Sequence, residues 1–320
     1  MRYYATLGPS CCETEVLAAL LRRGVTGFRL NLSHTPLAAR RSWIDALHCA
    51  ERNSGRAAQL MIDLRGPEVR IGALDAPMTL TEGETVTLGR QIPVAQDVLE
   101  ALTPEMTVLL DDGAMALTVI QGGRCRVARG GVLTSRKSLT LVGAELHRSA
   151  LCQADLDDLA QAAALGVGAV MQPFVRGGDD LRAVRAAMAR CGLREAELFA
   201  KVENRQGMDT LPQWLELCDV VTIARGDLGS SLTLTQLPAA QKHIAAVCRR
   251  SGKPFLVVTQ LLHSMIDHPT PTRAEVLDIY NAVLDGADCL MLTGETAQGR
   301  YPQEAADWLI RVAQEAEKAR

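Results

Sequence analysis

Eight short apolar runs punctuate this chain, and each is followed by a stretch with helical spacing or turn residues. The runs are Tyr4 to Leu7, Gly27 to Leu32, Gln59 to Asp63, Ala169 to Met171, Leu198 to Lys201, Val220 to Ile223, Phe255 to Val258 and Cys289 to Leu292. Thr14 to Arg23 and Pro36 to Arg52 read as helices, and Tyr301 to Lys318 supplies the last. Strands alternating with helices imply a parallel sheet, and eight such units imply a sheet closed on itself, a (β/α)8 TIM barrel. A length of 320 residues suffices for it. Aromatic residues make up only 3% of a chain that is 48% hydrophobic, so Ala, Leu and Val must build the core.

The rhythm breaks once. From Ala73 to Gly143 the pattern alternates in the β manner, with candidate strands at Thr79-Leu80, Thr85 to Leu88, Thr107 to Leu110, Leu117 to Ile120 and Arg124 to Val127. Turns fall at Glu82-Gly83, Asp112-Gly113, Gln121-Gly122-Gly123 and Gly130-Gly131. The reading is a barrel of residues 1–72 and 144–320 with a small all-β insertion, 73–143, after the third strand. An insertion there leaves the C-terminal rim, where barrel active sites lie, and a lid is its natural role.

Composition excludes several classes. A net charge of −3 argues against non-specific nucleic-acid binding. No apolar run reaches membrane-spanning length, and Met1-Arg2-Tyr3-Tyr4 enters a strand without a signal-peptide layout, so the expectation is a cytoplasmic protein. Nine cysteines with no Cys-x-x-Cys read as reduced core residues.

The chemistry gathers at the strand ends. Lys201-Val202-Glu203-Asn204 and Ala224-Arg225-Gly226-Asp227 each close an apolar run, so consecutive strands deliver a Lys, a Glu and an Asp to one rim. An ammonium beside two carboxylates is costly to bury unless something bridges the charges, and a hard divalent cation would do so. The second strand adds Arg29, Asn31, Ser33 and His34; the third adds Asp63, Arg65, Glu68 and Arg70. Thr259 and Gln260 close the seventh, and Thr293 to Thr296 the eighth. Glu203 and Asp227 are the candidate divalent-ion ligands, with Lys201 and Arg29 placed to neutralise an anionic substrate. Gly226 lets backbone N–H groups approach an anion. Asn31, Ser33 and Asp63 offer oxygens that suit a weakly hydrated monovalent cation. No Gly-x-x-x-x-Gly-Lys-Ser/Thr or Gly-x-Gly-x-x-Gly loop is present. The expectation is metal-assisted chemistry on an anionic substrate.

These segments, in this order, resemble the pyruvate kinase family. The resemblance rests on Thr6 to Pro9, Phe28 to His34, Asp63 to Arg70, Asp111-Asp112-Gly113, Lys201 to Asn204, Ala224 to Gly229, Pro271 to Glu275 and Gly294 to Ala297. It implies transfer of the phosphoryl group of phosphoenolpyruvate to ADP, giving pyruvate and ATP, with Mg²⁺ (or Mn²⁺) and K⁺. By motif it implies Glu203 and Asp227 as Mg²⁺ ligands, Lys201 as the stabiliser of the migrating phosphoryl group, and Arg29, Gly226, Asp227 and Thr259 as substrate contacts. It further implies a K⁺ site at Asn31, Ser33, Asp63 and the Leu64 backbone, Glu68 as the acidic choice that accompanies K⁺ dependence, and Asn31, His34, Arg70 and Lys137 as nucleotide contacts. Thr259 is the candidate for organising the proton path to the enolate.

The sequence also departs from the family pattern. Ser138, Thr140 and Val142 replace Gly, Asn and Pro at the exit of the insertion; Pro173 stands where the family has a serine; Leu64 and Arg65 replace Thr and Lys. The chain stops at Arg320, so the expectation is an enzyme without the family's C-terminal sugar-phosphate-binding domain, and a homodimer rather than a tetramer. Two other readings compete: an aldolase or lyase working through a Mg²⁺–pyruvate enolate, and a non-catalytic pseudoenzyme.

Overall fold

The computed structural model describes residues 1–33, 35–111, 113–144, 146 and 148–320. Eight parallel strands close into a barrel: β1 (Arg2–Thr6), β2 (Gly27–Asn31), β3 (Gln59–Asp63), then β11 (Val167–Gln172), β12 (Glu197–Val202), β13 (Val220–Ala224), β14 (Phe255–Val258) and β15 (Cys289–Leu292). Around the barrel run β1-β15-β14-β13-β12-β11-β3-β2, so each strand lies beside its sequence neighbour once the insertion is set aside. The eightfold alternation is therefore a (β/α)8 barrel.

Between β3 and β11 lie β4 (Met78–Leu80), β5 (Thr85–Thr87), β6 (Thr107–Leu110), β7 (Met115–Gln121), β8 (Arg124–Arg129), β9 (Gly131–Leu133) and β10 (Leu139–Leu141). They form a five-stranded sheet, β10-β6-β7-β8-β5, and a two-stranded one, β4-β9. The helices are α1 (Thr14–Arg23), α2 (Arg41–Ser54), α3 (Gln96–Glu100), α4 (Gln153–Ala162), α5 (Gly178–Arg190), α6 (Arg205–Asp209), α7 (Leu211–Trp214), α8 (Arg225–Ser231), α9 (Leu237–Arg250), α10 (Arg273–Leu284), α11 (Gly294–Ala297) and α12 (Pro302–Glu317). The expectation of an all-β insertion needs correcting: it contains the short helix α3, and two strands, β9 and β10, that alternation alone did not mark. β9 opens on Gly131 of the Gly130-Gly131 pair that reads as a turn, and β10 is held by its antiparallel pairing with β6. The helix read over Pro36 to Arg52 is a 3-10 turn, Leu37–Arg40, that runs into α2.

Three apolar cores follow from the side-chain periods. One lies outside the barrel wall, where residues such as Phe28, Leu30, Ile62, Leu198 and Ile223 meet the helices. A second fills the barrel with the alternate residues Tyr4, Met61, Met171, Phe199, Leu256 and Met291. The third is the insertion's own, built on Val86, Leu110, Leu117, Val119 and Val127, and it draws in Ile71. Chain direction is enforced at the helix ends. α1 stops at Gly24, whose φ of 114° lies in the left-handed region and whose N–H bonds back to Leu20 and Leu21. Thr272 and Glu275 close a reciprocal capping box on α10. Among the described residues no helix is long and apolar enough to cross a membrane.

Candidate active site

The inward-facing alternation that fills the barrel with apolar side chains changes chemistry at the C-terminal ends of the strands. On β3 the inner face runs from Met61 to Asp63; on β12 it runs from Phe199 to Lys201, with Glu203 following. Asn31 pairs in register with Asp63, and Arg29 with Met61, so β2 sets its polar residues against the same rim. Period 2 thus delivers a charged cluster without any special backbone device.

Asp63 is buried and lies between two cations. Arg29 donates to its Oδ2 from Nε at 2.9 Å and again from Nη2, and Lys201 Nζ approaches the same oxygen at 3.2 Å. Lys201 Nζ also pairs with Glu203 Oε1 at 2.8 Å. The second oxygen of Glu203 accepts the backbone N–H of Phe174 at 2.8 Å, from a residue held at a φ of 52°. Burial alone would push the Lys201 ammonium down, but Asp63 and Glu203 outweigh it and hold the pKa well above its ordinary value. Lys201 is therefore a fixed positive charge at every working pH. Burial pushes the Glu203 carboxyl up; Lys201 opposes, and the charge on Asp227 adds to the rise. Two carboxylates that repel each other beside one ammonium form a hard-oxygen donor set that a divalent cation would relieve. Among the described residues no group of three or more His, Cys, Asp or Glu is placed to hold a metal ion.

Arg29, Asp63, Lys201 and Asp227 line a cavity of about 650 Å³ that also takes in Asn31, Ser33, Leu64, Arg70, Gly226 and Thr259, while Glu203 lines the cavity beside it. A second cavity of about 590 Å³, with the more apolar wall of Pro67, Val69, Leu139 and Leu141, shares Glu68, Phe174 and Asp227 with the first. Asn31 Oδ1 accepts the backbone N–H of Ser33 at 3.1 Å, which turns the chain away from β2. Gly226 packs closely on Thr259: a methyl there would meet the Thr259 methyl at 3.2 Å, so that side chain would have to give by a few tenths of an ångström.

Other sequence-marked residues serve differently. Arg70 pairs with Glu68 at 2.8 Å and donates to the Arg136 carbonyl, which ties the entry and exit of the insertion together. Lys137 pairs with Asp111 at 2.8 Å and lines neither cavity. Arg65 is anchored on α4, 2.6 Å from Asp158, while its backbone N–H donates to Asp155. Glu295 accepts the N–H groups of Leu262 and Thr293, and Thr296 bonds to the β1 backbone, so the eighth strand end closes the rim. His34, and Asp112 of the Asp-Asp-Gly turn, lie outside the described residues. Sequence reading did not find Asp278, which grips Arg225 from α10 at 2.7 Å; 53 residues of separation leave no local signal.

The pattern of the family described as pyruvate kinase, barrel domain, matches residues 2–306. This chain belongs to the pyruvate kinase family. The pyruvate kinase of Aeropyrum pernix is 39% identical over 99% of this chain and 71% of its own length. That of Agrobacterium vitis is 36% identical over 98% of this chain and 67% of its own. The pyruvate kinase of Mycobacterium tuberculosis is 37% identical, covering 96% of this chain and 68% of its own. The family match spans both sides of the insertion, so the rim residues from β2, β3, β12 and β13 all fall within it.

Proposed function

We propose that this chain is a phosphotransferase that moves the phosphoryl group of phosphoenolpyruvate to ADP, giving pyruvate and ATP. Lys201 carries the reading: a buried, permanently charged ammonium between Asp63 and Glu203, at the mouth of a barrel of this family. In the reaction the bond between phosphorus and the enol oxygen breaks and one to a terminal oxygen of ADP forms. The enolate then takes a proton at its methylene carbon. Such transfers are loose, so the protein works mainly by positioning and neutralising charge. Arg29 and Lys201 neutralise the phosphoryl oxygens, with Asp63 fixing both side chains. Because Lys201 keeps its proton, it is a poor donor, and the proton path runs past the Thr259 hydroxyl through water. Gly226 leaves the backbone open to the substrate.

Glu203 and Asp227 would hold Mg²⁺ or Mn²⁺, with the remaining positions left to substrate and water. When bound, the ion supplies positive charge to the phosphoryl and enolate oxygens. We assign K⁺ to the oxygens of Asn31, Ser33, Asp63 and Leu64, and the nucleotide to Asn31, His34, Arg70 and Lys137. Residues 1–72 and 144–320 act as the catalytic unit in this reading, with 73–143 as a lid whose closure carries Lys137 to the nucleotide. Nine free cysteines agree with a cytoplasmic site of action. A homodimer is the assembly we expect, and light scattering reports it directly.

A lactate dehydrogenase-coupled assay with Mg²⁺, K⁺, phosphoenolpyruvate and ADP tests the function. ADP-dependent pyruvate formation, reduced when K⁺ is replaced by tetramethylammonium, is expected. Folded protein that forms no pyruvate under these conditions overturns the reading.

A further inference from the structure

Thr259 and Gln260 follow β14 with φ values of 79° and 57°, two consecutive non-glycine residues in the left-handed region. For a β-branched residue such as Thr259 this is a strained conformation that persists only when its surroundings over-determine it. The surroundings are specific. The Arg225 guanidinium donates to the Thr259 carbonyl from Nε at 3.1 Å and from Nη2 at 2.6 Å. Its third nitrogen, Nη1, reaches both carboxylate oxygens of Asp278 at 2.7 Å. One planar fork thus joins the end of β13, the residue after β14 and the first half of α10. The Arg225 side chain is largely buried, and no shorter or non-planar cation could make both contacts at once.

We propose that Arg225, held by Asp278, is a positioning residue for Thr259: it locks the strained backbone that points the Thr259 side chain into the catalytic cavity. Without the fork the Thr259 carbonyl loses two charge-assisted donors. The backbone then relaxes toward negative φ, and the hydroxyl leaves the place from which it guides the proton to the enolate. The kinetic part of this inference rests on the phosphoryl-transfer reading; the conformational part does not.

The test uses Arg225→Gln, Asp278→Asn, Thr259→Ala and the double variant Arg225→Gln/Thr259→Ala, beside the wild-type chain. A lost proton-path organiser is expected to lower kcat about 10²-fold, with KM for phosphoenolpyruvate within about threefold. Arg225→Gln and Thr259→Ala should each show this loss. The double variant should be no slower than Thr259→Ala alone, because both changes remove one device. Solvent-deuterium incorporation into the pyruvate methyl group should fall in parallel. Additive losses in the double variant, or a raised KM with kcat retained, overturn the proposal while leaving the kinase reading intact. Should wild-type protein make no pyruvate, that reading fails instead. A crystal structure of Arg225→Gln then decides the clamp: Thr259 at negative φ supports it, and Thr259 still near its present φ overturns it. If Arg225→Gln does not fold, Asp278→Asn carries the same measurements.

Discussion

The two ends of the barrel each hold a polar cluster, and β3 and β12 contribute to both. At the N-terminal end Arg2 pairs with Glu197 at 2.7 Å, Gln59 Nε2 donates to the same carboxylate, and the Tyr4 hydroxyl donates to Gln59. Arg2 also lies over the rings of Tyr4 and Phe199. One cation meets one anion, and the groups between them are used up. At the C-terminal end Arg29 and Lys201 share Asp63, Lys201 also pairs with Glu203, and the charge of Asp227 acts on both Lys201 and Glu203. These charges converge beside an open cavity lined by Arg29, Asp63, Lys201 and Asp227. The N-terminal cluster is one cation paired with one anion, whereas the C-terminal one brings several like charges together at the face where barrel active sites lie.

The largest expected effect separates the two ends. Lys201→Met should lower kcat by at least about 10²–10³-fold, the range for a lost oxyanion donor. Glu197→Ala, four residues earlier on the same strand, should leave kcat within about twofold. It should destabilise the fold by about 1–3 kcal/mol, because Arg2 and Gln59 lose their shared acceptor. Steady-state kinetics and thermal melts on both proteins measure this. Turnover lost in Glu197→Ala with an unchanged melting temperature would break the contrast.

A smaller effect comes from two glycines. A methyl on Gly27, at the N-terminal end of β2, would collide with the Tyr4 ring and stand 3.0 Å from the Gln59 carbonyl. Gly27→Ala should therefore destabilise by about 1–3 kcal/mol with kcat retained. Gly226→Ala should do the reverse. It crowds the Thr259 methyl at 3.2 Å and narrows the substrate's approach, so kcat/KM should fall about tenfold with little change in the melt. Equal stability losses for both would mean that the C-terminal rim is packed like the rest of the core.

The barrel was legible because its signal is repeated: eight alternations each reach the wall through residues such as Phe28, Ile62 and Leu198, whose period needs no tertiary information. The rim cluster was legible for a related reason. Lys201 and Glu203 lie two apart on one strand end, so alternation placed both on the inner side. Arg225 was legible as a rim residue but not in its role. That role depends on Asp278 from α10 and on a strained Thr259 backbone, and neither fact is local. Asp63 reads from the sequence as an oxygen donor for a monovalent cation; that it also meets Arg29 and Lys201 is not legible there, because only the closed barrel brings them together. The strands β9 and β10 are defined by non-local partners, β4 and β6, and β9 opens on a Gly-Gly pair that reads as a turn.

The smallest effect sharpens the comparison by showing that saturation, not location, separates structural from functional carboxylates. Glu275 lies near the catalytic rim, yet its oxygens accept from the Ser264 N–H and hydroxyl and from the Thr272 N–H and hydroxyl. Burial pushes its carboxyl up, but those four donors outweigh burial and leave it below its ordinary value of 4.5. A carboxyl depressed in the folded state contributes stability that is present above the unfolded pKa and lost as pH falls through the folded one. Glu275→Gln should thus cost about 1 kcal/mol near neutral pH, the scale of a lost helix cap. The gap to the wild-type chain should shrink as the pH falls from about 5 toward 3, where the wild-type carboxyl also carries its proton. Thermal melts of the two proteins across that range measure the gap. A difference that stays constant down to the acid limit would mean that Glu275 acts through packing rather than charge.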